Sequence, residues 1–429
     1  MTVIELGNGA RLAAVADDRF QTVRISAHFM LPMQAETAAV HAVLPRLLTR
    51  ACAEYPDYTA FNRKLAMLYG ASVYGAARMT GETQMISVSL GMPDDRFLPN
   101  DEKVLTEGVR LLCAMLFAPA LENGLFRAQD IAEEKRSLAE DIRAEFNDKR
   151  AYALRRSRQL MFADEPYGVC SQGTAEEAEA LTAEQITAAW RRVLQTAQLT
   201  VTAIGTVNAE AVAAVFRAEL AKLQRAPVQL QPVVMKTPAE APKLVTERVD
   251  VQQAKLVMGF RSTMAEPQDM TALRLATVLL GGTPSSRLFQ NVRERLSLCY
   301  YCAARCDWHK GVLMIDSGVQ EDKAEEAKAE ILRQLNDLQN GRFTEEELDI
   351  ARRAMIDQFG TVSDSPAFLD GWYTDQLRAG TVLTPEQAEA RVRAVTAAEV
   401  TAAIATVKPE LYYMLAGTAE KETENAQNG

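Results

Sequence analysis

The chain has 429 residues, of which 48% are hydrophobic and 24% charged, and it carries a formal net charge of −10 with a pI near 5.2. That length exceeds what one hydrophobic core usually organises, roughly 250–300 residues, so two or more globular domains are expected. The acid excess argues against a polyanion partner, because holding a phosphate backbone takes clustered Lys and Arg, and no nucleic acid is expected.

The opening residues, MTVIELGNGARLAAV, lack the basic start and apolar run of a secretory signal. No later stretch reaches the ~18 uninterrupted apolar residues of a membrane span, so the expected location is cytoplasmic, with no membrane partner. The six cysteines are then expected as free thiols.

In chain order, TVRISAHF (Thr22 to Phe29) alternates Val23, Ile25, Ala27 and Phe29 with Arg24, Ser26 and His28, the pattern of a half-buried strand with His28 on the solvated face. HAVLPRLLTR (His41 to Arg50) follows as a helix. Val40, Val43, Leu44, Leu47 and Leu48 form an apolar stripe at helical spacing, and Pro45 interrupts the backbone donors. ISVSL (Ile86 to Leu90) alternates as another strand, and VLTEGVRLLCAMLF (Val104 to Phe117) returns to helical spacing. Phe126 to Phe162 then reads as long, heavily charged helix, with most charges on a solvated face.

Proline gathers at Pro227, Pro232, Pro238 and Pro242 in a stretch without periodicity, the mark of an extended linker near the midpoint. The segments ending the two halves are alike. Thr182 with Gln185, and Thr396 with Glu399, offer capping boxes, and each helix leads into an apolar strand ending in Gly-Thr. The offsets, 212 between Gly205 and Gly417 and 214 between Thr182 and Thr396, point to an internal duplication. The expected fold is α+β, with two homologous domains, each a β-sheet packed with helices. The expected layout is residues 1–225, a linker at 226–243, a second domain at 244–419 and a disordered polar tail at 420–429.

CYYCAARCDWH (Cys299 to His309) offers soft metal ligands, but in a regular strand Cys299 and Cys302, three apart, point to opposite faces, so no metal is expected there.

These parts together resemble the insulinase/pitrilysin family of zinc peptidases, whose members carry an H-x-x-E-H helix. The likeness covers nearly the whole chain. It rests on the order of an early site helix, FADEPYG (Phe162 to Gly168), a linker, and GGTPSSRLFQNVRERLSLCYY (Gly281 to Tyr301). The resemblance implies that each domain pair forms half of a peptidase clam-shell. His41 matches the first zinc histidine, but Leu44 holds the glutamate position and Pro45 that of the second histidine. Glu140 matches the distal glutamate, with Glu133 at a further acidic position. A hydrolytic zinc needs three protein ligands and a base, so the family pattern implies no cofactor in this chain.

Arg293 and Tyr300, seven residues apart, match an Arg and a Tyr that in active relatives face the zinc and donate hydrogen bonds to the reacting carbonyl. Left to the residues alone, they are a surface helix charge and a packed strand aromatic. The likeness is to the inactive subunit of bacterial two-gene pairs. It implies a zinc-less subunit that lends Arg293 and Tyr300 to a homologous H-x-x-E-H partner, which would carry the zinc. The peptide substrate would be bound in extended form, by strand addition to a sheet edge. The alternative is a non-catalytic binding or scaffold protein on the same fold.

Overall fold

The computed structural model describes residues 1–233, 235–263 and 270–418, so the expected tail from residue 420 lies outside the described residues. Its first elements are β1 (Thr2–Gly7), β2 (Ala10–Val15), β3 (Thr22–Pro32), α1 (Ala35–Leu48), α2 (Tyr58–Met67), β4 (Ser72–Thr80), β5 (Thr83–Pro93) and α3 (Leu105–Phe117). A short hairpin of β6 (Leu121–Glu122) and β7 (Leu125–Phe126) precedes α4 (Ala128–Ala144), α5 (Lys149–Met161), α6 (Ala175–Ala180), α7 (Ala183–Thr196), β8 (Gln198–Ile204) and α8 (Ala209–Leu220). The second half supplies β9 (Lys243–Val249), β10 (Ala254–Ser262), α9 (Met270–Gly281), β11 (Cys299–Asp307) and β12 (Val312–Val319). It ends with α10 (Ala324–Gln339), α11 (Glu345–Ser363), α12 (Pro366–Arg378), α13 (Pro385–Ala394), α14 (Ala397–Ala405) and β13 (Val407–Gly417).

Two sheets carry the architecture, one ordered β1-β2-β8-β3-β5-β4 and the other β11-β12-β10-β13-β9. Read from β2 and from β9, they have the same order. β2 runs parallel to β8 as β9 does to β13, and the remaining neighbours are antiparallel in both. Both expected capping boxes form, at Thr182 before α7 and at Thr396 before α14. The duplication read from sequence is therefore a duplication of strand order.

The chain divides into two compact units that are not its two contiguous halves. The first comprises Met1–Ala144, Asp164–Val233 and Gln358–Gln387; the second comprises Glu145–Ala163, Val234–Asp357 and Ala388–Gly429. Each half thus gives a helical segment to the other's unit. The charged stretch expected as one helix breaks at residues 145–148, which is where the chain changes unit.

In the first unit, Val23, Ile25, Ala27 and Phe29 of β3 face a core shared with Val43, Leu44 and Leu47 of α1. Fully burying such a side chain stabilises by ~1.5–3 kcal/mol, which fixes α1 to this face. The opposite face is polar, and α12 packs on it against β3 and β8. In the second unit, α9 packs on β11, while α5 packs on β10 and β13. Arg150 and Arg156 of α5 are only partly solvated, and their Nε groups donate to Asp316 (2.5 Å) and Glu247 (2.7 Å). Gly259 in β10 makes room for α5, since a Cβ there would lie 2.6 Å from Met161 Sδ.

Candidate functional site

Helix α1 holds the positions matching a zinc site. His41 is buried, and its Nδ1 lies 2.8 Å from Gln84 Oε1 of β5. Gln84 Nε2 donates to the Ala38 and Ser171 carbonyls at 3.3 and 2.8 Å, so its oxygen faces His41 and the imidazole carries its proton on Nδ1. Burial pushes the His41 pKa down and keeps the ring neutral. Leu44 and Pro45 are buried and offer no donor atom to a metal.

Glu140 is on the surface, its side chain 68% exposed beside Arg136 at 3.9 Å. Glu133 instead holds Arg50 of α1 (2.6 Å), together with Glu134 (2.7 Å) and Asp130 (3.3 Å). Among the described residues no group of three His, Cys, Asp or Glu side chains could hold a metal ion. The donor set present does not fit zinc.

Helix α1 nevertheless runs unbroken through Pro45, contrary to the disruption that proline implies in a helix interior. The helix is pressed onto β4 there. A Cβ at Gly75 would lie 2.4 Å from the Pro45 carbonyl oxygen and 3.0 Å from Thr49 Cγ2. Gly75→Ala is accordingly expected to destabilise the fold by about 1–3 kcal/mol in chemical denaturation, because backbone rather than a movable side chain must give way. An unchanged midpoint would show that α1 and β4 are not in such contact.

β4 is a sheet edge, paired only with β5. A cleft of about 640 Å³ lies along it, lined by Tyr74 to Arg78, by Arg46 and Thr49 of α1, and by His28 and Asp370. The outward backbone groups of such an edge are unpaired and can accept an added strand.

His28 is not the solvated strand histidine expected from the alternation; it is 3% exposed. α12 covers it and brings Asp370, 342 positions away, to 2.8 Å from Nε2. Ser87 Oγ lies 2.8 Å from Nδ1. The Asp370 carboxylate also accepts from Thr202 Oγ1 (2.5 Å), Ser26 Oγ (2.6 Å) and Arg24 Nε (2.9 Å). Burial alone would raise the Asp370 pKa, but His28 and the hydroxyl donors outweigh it and hold the carboxyl well below its usual range. The alternating sequence could not reveal this cluster, because its acid lies on a helix from the other half of the chain.

In the second unit, a π-helical turn over Phe289–Arg295 precedes β11. Arg293 lies on this turn with its guanidinium 4.4 Å from the centre of the Phe289 ring and 3.6 Å from Glu294. Tyr300 falls at a β-bulge: Cys299 pairs with Val319 and Tyr301 with Gly318, leaving Tyr300 outside the register. Its ring is 62% exposed, so it is not a packed strand aromatic. The packed one is Tyr301, whose ring lies under Arg150 at 4.2 Å and whose phenol is pushed up by burial and by Asp316. No hydrogen bond between Arg293 and Tyr300 is found among the described residues.

The bulge also overturns the reading of the cysteines. Cys299 and Cys302 pair with Val319 and Ser317, two apart on β12, so both thiols point to one face.

The Peptidase M16 inactive domain matches residues 180–355. Over 408 residues, 94% of this chain and 95% of the relative, the sequence is 29% identical to the probable inactive metalloprotease YmfF of Bacillus subtilis strain 168. A conserved protein from Enterococcus faecalis V583 has a similar structure, with a TM-score of 0.90 at 25% identity over 98% of this chain and 99% of that one. The peptidase M16 inactive domain protein from Pseudomonas fluorescens has the same fold, with a TM-score of 0.79 at 17% identity over 97% and 98% of the two chains. No helix among the described residues is long and apolar enough to cross a membrane. Residues 180–355 thus match the Peptidase M16 inactive domain, and over nearly its whole length the chain is similar to a probable inactive metalloprotease, with its own zinc positions filled by a hydrogen-bonded His41, Leu44 and Pro45.

Proposed function

We propose that this chain is the zinc-less subunit of a heterodimeric insulinase-type metallopeptidase, lending substrate-binding and oxyanion-stabilising groups to a homologous partner with an intact H-x-x-E-H helix. The observation that carries the reading is the contrast between two positions. His41 is sealed into the core, whereas the bulge at Tyr300 turns a phenol out to solvent on a strand whose other aromatic, Tyr301, is half-buried with its hydroxyl shielded from solvent. A bulge that re-aims one side chain suits a group meant to meet a substrate.

In the pair, the partner's zinc would supply the activated water. Arg293 and Tyr300 would donate hydrogen bonds to the carbonyl oxygen as it gains charge. An extended peptide would be held at the open edge of β4, where consecutive residues Tyr74 to Arg78 line the cleft.

The test is reconstitution with a homologous chain carrying H-x-x-E-H. The pair is expected to co-elute and to cleave peptides that neither chain cleaves alone. A partner that cleaves equally well without this chain would overturn the catalytic reading, and co-elution without a gain in activity would leave a scaffold.

A further inference from the structure

β11 holds two cysteines that the proposed function does not use. Because the bulge adds one residue between them, Cys299 and Cys302 lie side by side on the face of the sheet that carries Ser317. Each thiol is the other's strongest polar influence, and the Ser317 hydroxyl acts on both. Ser317 Oγ is itself anchored to the Tyr301 carbonyl at 2.9 Å. β11 is an edge strand, so one side of this dithiol segment has no neighbouring strand to hold it.

We propose that Cys299 and Cys302 form a peroxide-sensitive dithiol, with Cys299 as the attacking thiolate and Cys302 as the resolving thiol, oxidised to an intrastrand disulfide that closes around Tyr300. The Cys299 thiolate attacks one oxygen of hydrogen peroxide; the O–O bond breaks, hydroxide leaves and takes a proton, and a sulfenic acid forms. The Cys302 sulfur then attacks the sulfenic sulfur; the S–O bond breaks, water leaves and the S–S bond forms. Two thiols lose two electrons in total and one peroxide becomes two waters.

The direction of attack follows from the surroundings. Cys299 borders the bulge and is the more exposed of the two thiols, 9% against 4%, so peroxide reaches it first, and the Cys302 thiol, the Ser317 hydroxyl and the positive charge of Arg293 draw its pKa down despite burial. Burial pushes Cys52, Cys113 and Cys306 up, which protects them. Cys170 is partly exposed, and a single oxidised thiol there would stop at the sulfenic acid. This inference does not depend on a partner chain.

The test treats the reduced full-length chain, under native conditions, with a few equivalents of hydrogen peroxide and maps its tryptic peptides. The peptide from Leu296 to Arg305 is expected to become lighter by two hydrogen atoms. In Cys302→Ser the same treatment with dimedone present is expected to tag Cys299. Should the native peptide keep both thiols while Cys170 oxidises, the proposal is overturned, whether or not the variant folds. A dimedone tag absent from Cys299 in a folded Cys302→Ser chain would overturn the order of attack.

Discussion

Tyr300→Phe, assayed in the reconstituted pair, is expected to lower kcat for peptide cleavage by roughly 10² to 10³, the usual effect of removing one preorganised oxyanion donor. The substitution is clean because the ring projects from a bulge and is 62% exposed, so losing the hydroxyl disturbs no packing. KM should change little, since the lost bond strengthens only as charge develops on the substrate oxygen. Tyr301→Phe is the matched control. That ring keeps its place under Arg150, and its phenol is turned into the second unit rather than outward, so cleavage by the pair should be nearly unaffected. Equal rates for the native pair and the Tyr300→Phe pair would remove the catalytic role.

Asp370→Ala is expected to destabilise the first unit by about 3–5 kcal/mol, read from the denaturant midpoint, because it strips the acceptor from a buried charged cluster. Four donors lose their partner at once: the His28 ring, the Thr202 and Ser26 hydroxyls, and the Arg24 guanidinium. α12 would then cover a polar sheet face with nothing to bind it. The pH dependence has a definite sign. The folded carboxyl is held below its unfolded value of about 3.9, so its contribution is complete above that pH and is lost as pH falls further toward the folded value. Below about pH 4 the native chain should therefore lose stability faster than Asp370→Asn, which has no carboxyl to protonate. Parallel pH profiles for the two would contradict the assignment.

What could be read in the sequence was local or repeated. The Thr182 and Thr396 capping boxes, the core stripe of α1 and the alternation in β3 each follow from spacing, and the duplication reappears as a common strand order. What could not be read depended on distant pieces meeting. Nothing near His28 announces that α12 supplies its acid, and nothing near Phe146 announces that α5 leaves for the other unit's sheet. Likewise His41 matches a zinc-ligand position only by resemblance, and its actual partner, Gln84, comes from a strand 43 positions on. The bulge at Tyr300 was hidden for another reason. A strand's period of two assumes an unbroken register, and one extra residue reverses which side chains share a face.

On the function proposed above, the zinc chemistry is absent from this chain and belongs to a partner. Its most direct test is zinc bound per chain, measured after loading with zinc and dialysis against metal-free buffer. Essentially none is expected for this chain alone and about one per pair once an H-x-x-E-H homologue is bound, that metal lost when the partner's histidines are replaced. Close to one tightly held zinc on this chain by itself would contradict it, because His41 would then have ligands other than Leu44 and Pro45 allow.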